Sequence, residues 1–254
     1  MNSKIIILLF IVSLTVSACG QGTPNVKTEK GADPDIVLIN IGNCDRASIS
    51  RIIRAVDSCQ PAVIVVYAVF PRLKDPTGDS LLAQALRAAP NDILAFIINE
   101  KGETTASNAL FTSEAAAAAE IDFEFTNGLV SRFTPLRKEN GADKELLPLA
   151  VVKKWKPGFR YSIRPDQQLD IVYRYRASQY LTLTGDLFTD PGVEPRLLKG
   201  KVVILGFLGP GKEDLKKTPL RFLMDPEPPQ NEPDTYGTVI LANQVRTILD
   251  HEMK

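Results

Sequence analysis

The sequence predicts an α/β fold: a mostly parallel central sheet flanked by helices, with an antiparallel hairpin section in the middle of the chain. Three observations lead there. Near-continuous apolar runs, DIVLINI at 35–41, AVIVVY at 62–67 and DILAFII at 92–98, read as strands buried on both faces. Amphipathic helical stretches separate them, and the order strand, helix, strand, helix, strand implies parallel pairing through right-handed crossovers. Further on, Asn127-Gly128 lies between two alternating segments, a favoured hairpin turn.

The chain opens on Lys4 and the run IIILLFIVSLTV, which is short for a bilayer span but suits the core of a secretion signal, followed by the small residues Ser17 and Ala18. Residues 1–18 read as a signal peptide. Val16-Ser17-Ala18-Cys19 resembles the lipobox of bacterial lipoproteins. That resemblance implies lipidation of the Cys19 thiol and cleavage before it, and two or more acyl chains make a stable membrane anchor. The alternatives are an ordinary cleaved signal with a chance cysteine and an uncleaved hydrophobic anchor. Gly20 is not an inner-membrane retention residue under the enteric rule, so the expectation is the outer membrane. Residues 19–33 lack apolar periodicity and read as a lipidated flexible tether, with a single domain over 34–254.

Within that domain, Ile49, Ile52, Ile53 and Val56 share one face of a helix over 45–56. Cys44 and Cys59 then fall at opposite helix ends, roughly 20 Å apart at the helical rise, too far for a disulfide, so both are expected as free, buried thiols. DSLLAQALRA at 79–88 is the second amphipathic helix. Thr112-Ser113-Glu114 can cap a short helix over Ala115 to Ala119. Ile121, Phe123 and Phe125 alternate with Asp122, Glu124 and Thr126 as a half-exposed strand, with both carboxylates on its solvated face. Helix 146–155, strand 170–175, buried strand 201–207, the acidic proline-rich loop DPEPPQNEPD at 225–234 and a closing helix over 239–249 complete the reading.

Composition narrows the chemistry. Lys plus Arg and Asp plus Glu each number 30 in 254 residues. Such balance gives no long-range attraction for nucleic acid, and Lys153-Lys154-Trp155-Lys156 reads as a solvated helix end. His251 is the single histidine and lies near the C-terminus, leaving no histidine for a central triad or zinc site. KVVILGFLGPGKED at 201–214 imitates a phosphate-binding loop, but Glu213 occupies the position where a Ser or Thr would ligate magnesium, and Thr218-Pro219 works against the required helix. No cofactor or metal is expected.

Several strings together resemble the second type of CHASE domain, an extracellular sensory module of bacterial receptors: DIVLINIGN at 35–43, AVIVVYAVF at 62–70, DPTGDSLLAQAL at 75–86, LVSRFTPL at 129–136, KVVILGFLG with Asp214 and Thr218-Pro219, and YGTVILANQV at 236–245. The resemblance implies a ligand-sensing domain outside the cytoplasm, with signal transduction usually passed on through membrane helices to an output domain; together with the thin set of catalytic groups, the expectation is a protein that is not an enzyme. This sequence runs only to the closing helix, so the expectation is a lipid-anchored sensor in the bacterial envelope that binds an unknown small ligand and acts through an envelope protein partner. Arg132, Asp214, Thr218 and Asn243 are the candidate ligand-binding residues, their convergence on one polar cleft being the discriminating feature. Two departures bear on that pocket. Tyr67 stands where the family commonly has Asp, and Leu241 where a His commonly precedes Ala-Asn. They favour the alternative of an adaptor lipoprotein without a ligand; a carboxylate-dependent hydrolase is the further alternative.

Overall fold

The structure is a computed structural model and describes residues 29–98, 103–188, 194–224 and 226–252. The expected signal peptide, Cys19 and residues 20–28 lie outside these. In chain order the first half comprises β1 (Ile36–Asn40), α1 (Arg46–Ser58), β2 (Val63–Tyr67), α2 (Pro76–Ala88), β3 (Asp92–Ile98), β4 (Thr104–Thr105), α3 (Ala109–Thr112), β5 (Ala118–Ile121), β6 (Glu124–Thr126) and β7 (Leu129–Phe133). The second half adds β8 (Leu136–Glu139), β9 (Ala142–Glu145), α4 (Leu147–Trp155), β10 (Leu169–Asp170), β11 (Leu181–Thr184), β12 (Val202–Gly206), β13 (Leu215–Lys216), β14 (Thr235–Tyr236) and α5 (Gly237–Glu252), with short 3-10 turns between them.

The mostly parallel central sheet is real. Its order is β11-β1-β12-β2-β3-β4, with β5 parallel to β3 and only β4 antiparallel. Strand periodicity divides the core into two layers. Val37, Ile39, Ile64, Val66, Val203 and Leu205 face α1 and α2, while Ile36, Leu38, Val63, Val65, Val202 and Ile204 face α4 and α5. All twelve are buried, and each such side chain contributes about 1.5–3 kcal/mol by leaving water. Because both faces are covered, a charge introduced at Val65 would have no solvated rotamer to escape into.

The helix starts follow from their caps. Asp45 accepts from the Ser48 amide at the N-terminus of α1, and Asp75 accepts from the Gly78 amide at that of α2, with Pro76 in the first turn. α2 therefore begins three residues before the expected Asp79. Asn127 and Gly128 both take positive φ, 53° and 76°, and join β6 to β7 as the sequence requires. Cys44 and Cys59 are free thiols; Cys59 is buried and Cys44 half-buried.

Three expectations fail. The alanines at 115–119 do not form a helix: α3 ends at Thr112 under an Asn108 cap, and Ala118–Ile121 is a strand on the edge of β3. Helix propensity is a weak prior against an unpaired parallel edge. The run Ile121–Thr126 is not one strand either, since Ile121 ends β5 in the large sheet and Glu124 begins β6 in a separate three-stranded one. Phe125 consequently points to solvent, while Asp122 and Glu124 are sheltered rather than solvated. Finally, of the expected strand 170–175 only Asp170 lies in a strand, β10, opposite Arg132 of β7; beyond it Ile171 donates to the Ser131 carbonyl and Tyr173 forms an isolated bridge.

The last described residues of the expected tether are held. The Glu29 amide donates to the Arg174 carbonyl at 2.9 Å, and Gln179 Nε2 donates to the carbonyls of Glu29 and Gly31. Buried Asp33 pairs with Arg246 of α5, whose guanidinium also reaches Asp35 and lies 5.5 Å from the Trp155 ring centroid. Among the described residues no helix is long and apolar enough to cross a membrane.

Candidate functional site

In a parallel sheet covered on both faces, the place where connections leave to opposite sides opens a crevice at the carboxyl ends of the strands. Here that place is β12. Asn40, Gly206 and Tyr67 stand level at the ends of β1, β12 and β2. The chain leaves β1 and β2 toward α1 and α2, whereas the chain after β12 returns through α5 on the other face. Two loops, 41–45 and 68–75, thus frame one side of the sheet's carboxyl edge.

On the α5 side the edge is filled by protein. Asn40 Oδ1 accepts from the Gly42 and Leu208 amides and its Nδ2 donates to the Gly209 carbonyl, tying the loop after β12 to that after β1. Asp214 Oδ2 accepts from the Gly237 amide at 3.1 Å. Burial raises the Asp214 carboxyl above its ordinary pKa, with Lys216 opposing. A Cβ at Gly237 would overlap both the Tyr67 hydroxyl and Asp214 Oδ2, so glycine is what lets α5 start there. Burial, and after it the charge of Asp214, holds the Tyr67 hydroxyl protonated. After Lys212 the chain turns into β13, with no helix to complete a phosphate loop, and Lys212 lies 3.4 Å from Glu232 on the surface.

The four candidate residues have separate partners, and no hydrogen bond or ion pair joins any two of them. Arg132 Nε lies 3.0 Å from Asp170 in a largely exposed pair. Thr218 is fully buried; its hydroxyl meets Asp234 and Thr235 and accepts from the Leu220 amide. Asn243 Oδ1 accepts from the amides of Arg174 and Tyr175, and its Nδ2 donates to the carbonyls of Tyr175 and Val239. The carboxamide thereby satisfies backbone groups of Arg174 and Tyr175, beyond the end of β10. The acidic proline-rich loop is likewise held from inside, by Arg221 donating to the carbonyls of Pro228, Pro229 and Glu232.

The carboxylates of the middle section are compensated in the same way. Buried Glu120 pairs with Arg137 at 2.7 Å and Lys144 at 3.0 Å. Asp122 accepts from the Thr134 amide and Arg137, and Glu124 accepts from the Thr134 hydroxyl. Burial raises Asp122, with the Thr134 amide and Arg137 pulling it back. Among the described residues no group of three His, Cys, Asp or Glu is arranged to hold a metal ion.

What remains open is the α1/α2 side of the edge. A cleft of about 870 Å³ lies between the loops after β1 and β2, lined by residues 43–47, Ile49 and 69–75. Its floor is fixed by Arg46, which pairs with Asp79, donates to the Arg72 carbonyl, and lies 5.8 Å and 5.1 Å from the ring centroids of Phe70 and Phe111. Asp79 also accepts from the Lys74 amide at 3.0 Å, so the loop is built around a buried ion pair. Sequence reasoning passed over this region because Arg46 and Asp79 are 33 residues apart and read singly as helix polar positions. Asp75-Pro76, a cap signal at the loop's end, was the available clue.

The fold is thus a doubly wound α/β module with a single-sided cleft at the carboxyl edge of its sheet. The chain belongs to the CHASE2 domain family, whose sequence profile matches residues 33–254. CHASE2 domains are extracellular sensory domains. No curated protein and no solved structure matches the chain. Tyr67 and Leu241, where the sequence departs from the family's common residues, are both packed in the layer under α4 and α5. Neither lines the cleft.

Proposed function

We propose that this protein is a lipid-anchored sensor of the bacterial envelope, attached through acylated Cys19, that binds a small extracytoplasmic ligand and signals through a partner protein. The observation that supports it most directly is the cleft at the carboxyl edge of a sensory-family fold, where doubly wound sheets bind ligands. The outer membrane is the proposed location, from Gly20 after the lipidated cysteine. In this reading Asp214, Thr218 and Asn243 shape the edge rather than touch ligand, because their hydrogen-bonding atoms already serve protein groups.

A metabolite screen by thermal shift tests the sensory reading. A ligand selective for the folded state adds about 2.7 kcal/mol at a hundredfold excess over Kd, a rise of several degrees. Affinity capture from intact envelopes tests the partner. A screen without any shift, together with capture of one protein at unit stoichiometry, would replace the sensor by the adaptor. The adaptor gains support from the apolar filling around Tyr67 and Leu241.

A further inference from the structure

The cleft's charges are unusual in their accounting. Arg46 is neutralised by Asp79 beneath the floor. Arg72 and Lys74 are exposed in the lining, and neither side chain has a hydrogen-bond or ion-pair partner among the described residues. Asp45 and Asp75 line the same cleft, each capping its own helix with a carboxylate oxygen, and among the described residues neither is closed by an ion pair as Asp79 is. The helix termini are therefore already capped, and recognition falls to side chains. Between these charges lies apolar surface: Val69, Phe70, Pro71 and Leu73, the last 55% exposed without a covering residue.

Two unpaired cations and two carboxylates in one lining give neither a simple anion nor a simple cation a net attraction, and complement a molecule carrying both signs. The volume of about 870 Å³ falls within the range for small-molecule sites. We infer that this cleft binds an amphoteric small molecule with an apolar body, a free apolar α-amino acid or a short apolar peptide. The carboxylate meets Arg72 and Lys74, the ammonium group meets Asp45 and Asp75, and the apolar part lies on Phe70 and Leu73. The buried Arg46–Asp79 pair holds the loop in place beforehand, so little ordering is left to the ligand. The inference rests on the sensory reading and specifies its ligand class.

Calorimetric titration of the lipid-free chain with L-leucine, L-phenylalanine and the dipeptide Leu-Phe is the test, with N-acetyl-L-leucine and L-leucinamide as single-charge controls. Saturable binding of at least one zwitterion is expected, with each control about tenfold or more weaker. The amino acids and the dipeptide distinguish the two sources of the same chemistry. Arg72→Ala/Lys74→Ala should weaken the zwitterion about tenfold. Asp45→Asn/Asp75→Asn should do the same while keeping both caps, because Asn caps a helix as well as Asp. Unchanged melting of the variants without ligand shows that folding is intact. No binding of any zwitterion, equal binding of leucinamide, or indifference to both double variants overturns the inference. A shift by a metabolite of another class in the broad screen would overturn it too, and would leave the sensory reading standing.

Discussion

Asn243 commits all of its carboxamide to backbone, two amides on Oδ1 and two carbonyls on Nδ2, at zero exposure. Replacing it with Ala leaves buried amides of Arg174 and Tyr175 without an acceptor, at about 1–3 kcal/mol for each unsatisfied group. Asn243→Asp should be worse, since a carboxylate keeps the acceptor, loses both donors and buries a charge; chemical denaturation of the two variants checks the ordering. Thr218→Ala should cost roughly 1–3 kcal/mol by breaking the link to Asp234 and the Leu220 amide. Lys212→Ala, by contrast, removes one exposed contact to Glu232 and should alter stability by less than about 0.5 kcal/mol. Measurable magnesium-ATP affinity lost in that variant would restore the phosphate-loop reading.

At the scale of elements, Asp92 opens β3 and carries a pH prediction. It has no exposed surface, its Oδ1 accepts from the Ala116 amide, and its Oδ2 has no hydrogen-bond partner. Burial raises its pKa to about 7, opposed by the Ala116 amide and Lys154 and aided by Asp57. The folded state therefore keeps a proton that the unfolded chain releases near the ordinary aspartate value. Stability from this group is complete below that value and is lost as pH rises toward 7, at no more than about 1.4 kcal/mol per pH unit. Urea melts across that window should show the decline, and Asp92→Asn should flatten the difference; equal slopes would mean that Asp92 ionises normally. The same bond explains an element the sequence hid. Asp92 holds Ala116 just before β5, so the alanine run is fixed as an approach to a strand.

For the whole molecule, the proposed lipid attachment is the part to test first. Cys19→Ser should abolish fatty-acid labelling and release the protein from membranes wherever the signal is still processed; equal labelling of both forms would end the lipoprotein reading. From residue 29 onward the path inward is defined, through Asp33 to Arg246 on α5. α5 begins at Gly237 on the sheet edge, so this clamp belongs to the layer opposite the cleft, on the far face of the central sheet. Breaking that clamp with Arg246→Ala leaves buried Asp33 without its cation and should cost about 3–5 kcal/mol, as loss of one partner from a buried pair does.

The sequence alone determined the parallel sheet, its first three strands and the hairpin at Asn127-Gly128, because each is written in local periodicity or turn chemistry. It also determined the family, through short strings that keep their order along the chain. Boundaries set by caps were legible in retrospect, as Asp75-Pro76 shows. Tertiary structure decided whatever depended on partners distant in sequence. β5 is a strand because β3 offers an edge, residues 174 and 175 are held outside any strand because Asn243 satisfies their backbone, and Asp122 and Glu124 are sheltered because Thr134 and Arg137 meet them. The cleft belongs to the same class, since its floor is an ion pair between two helices and its lining comes from two loops separated by a strand. Periodicity reports which face of an element is apolar; it carries no information about which polar groups from other elements will satisfy the opposite face.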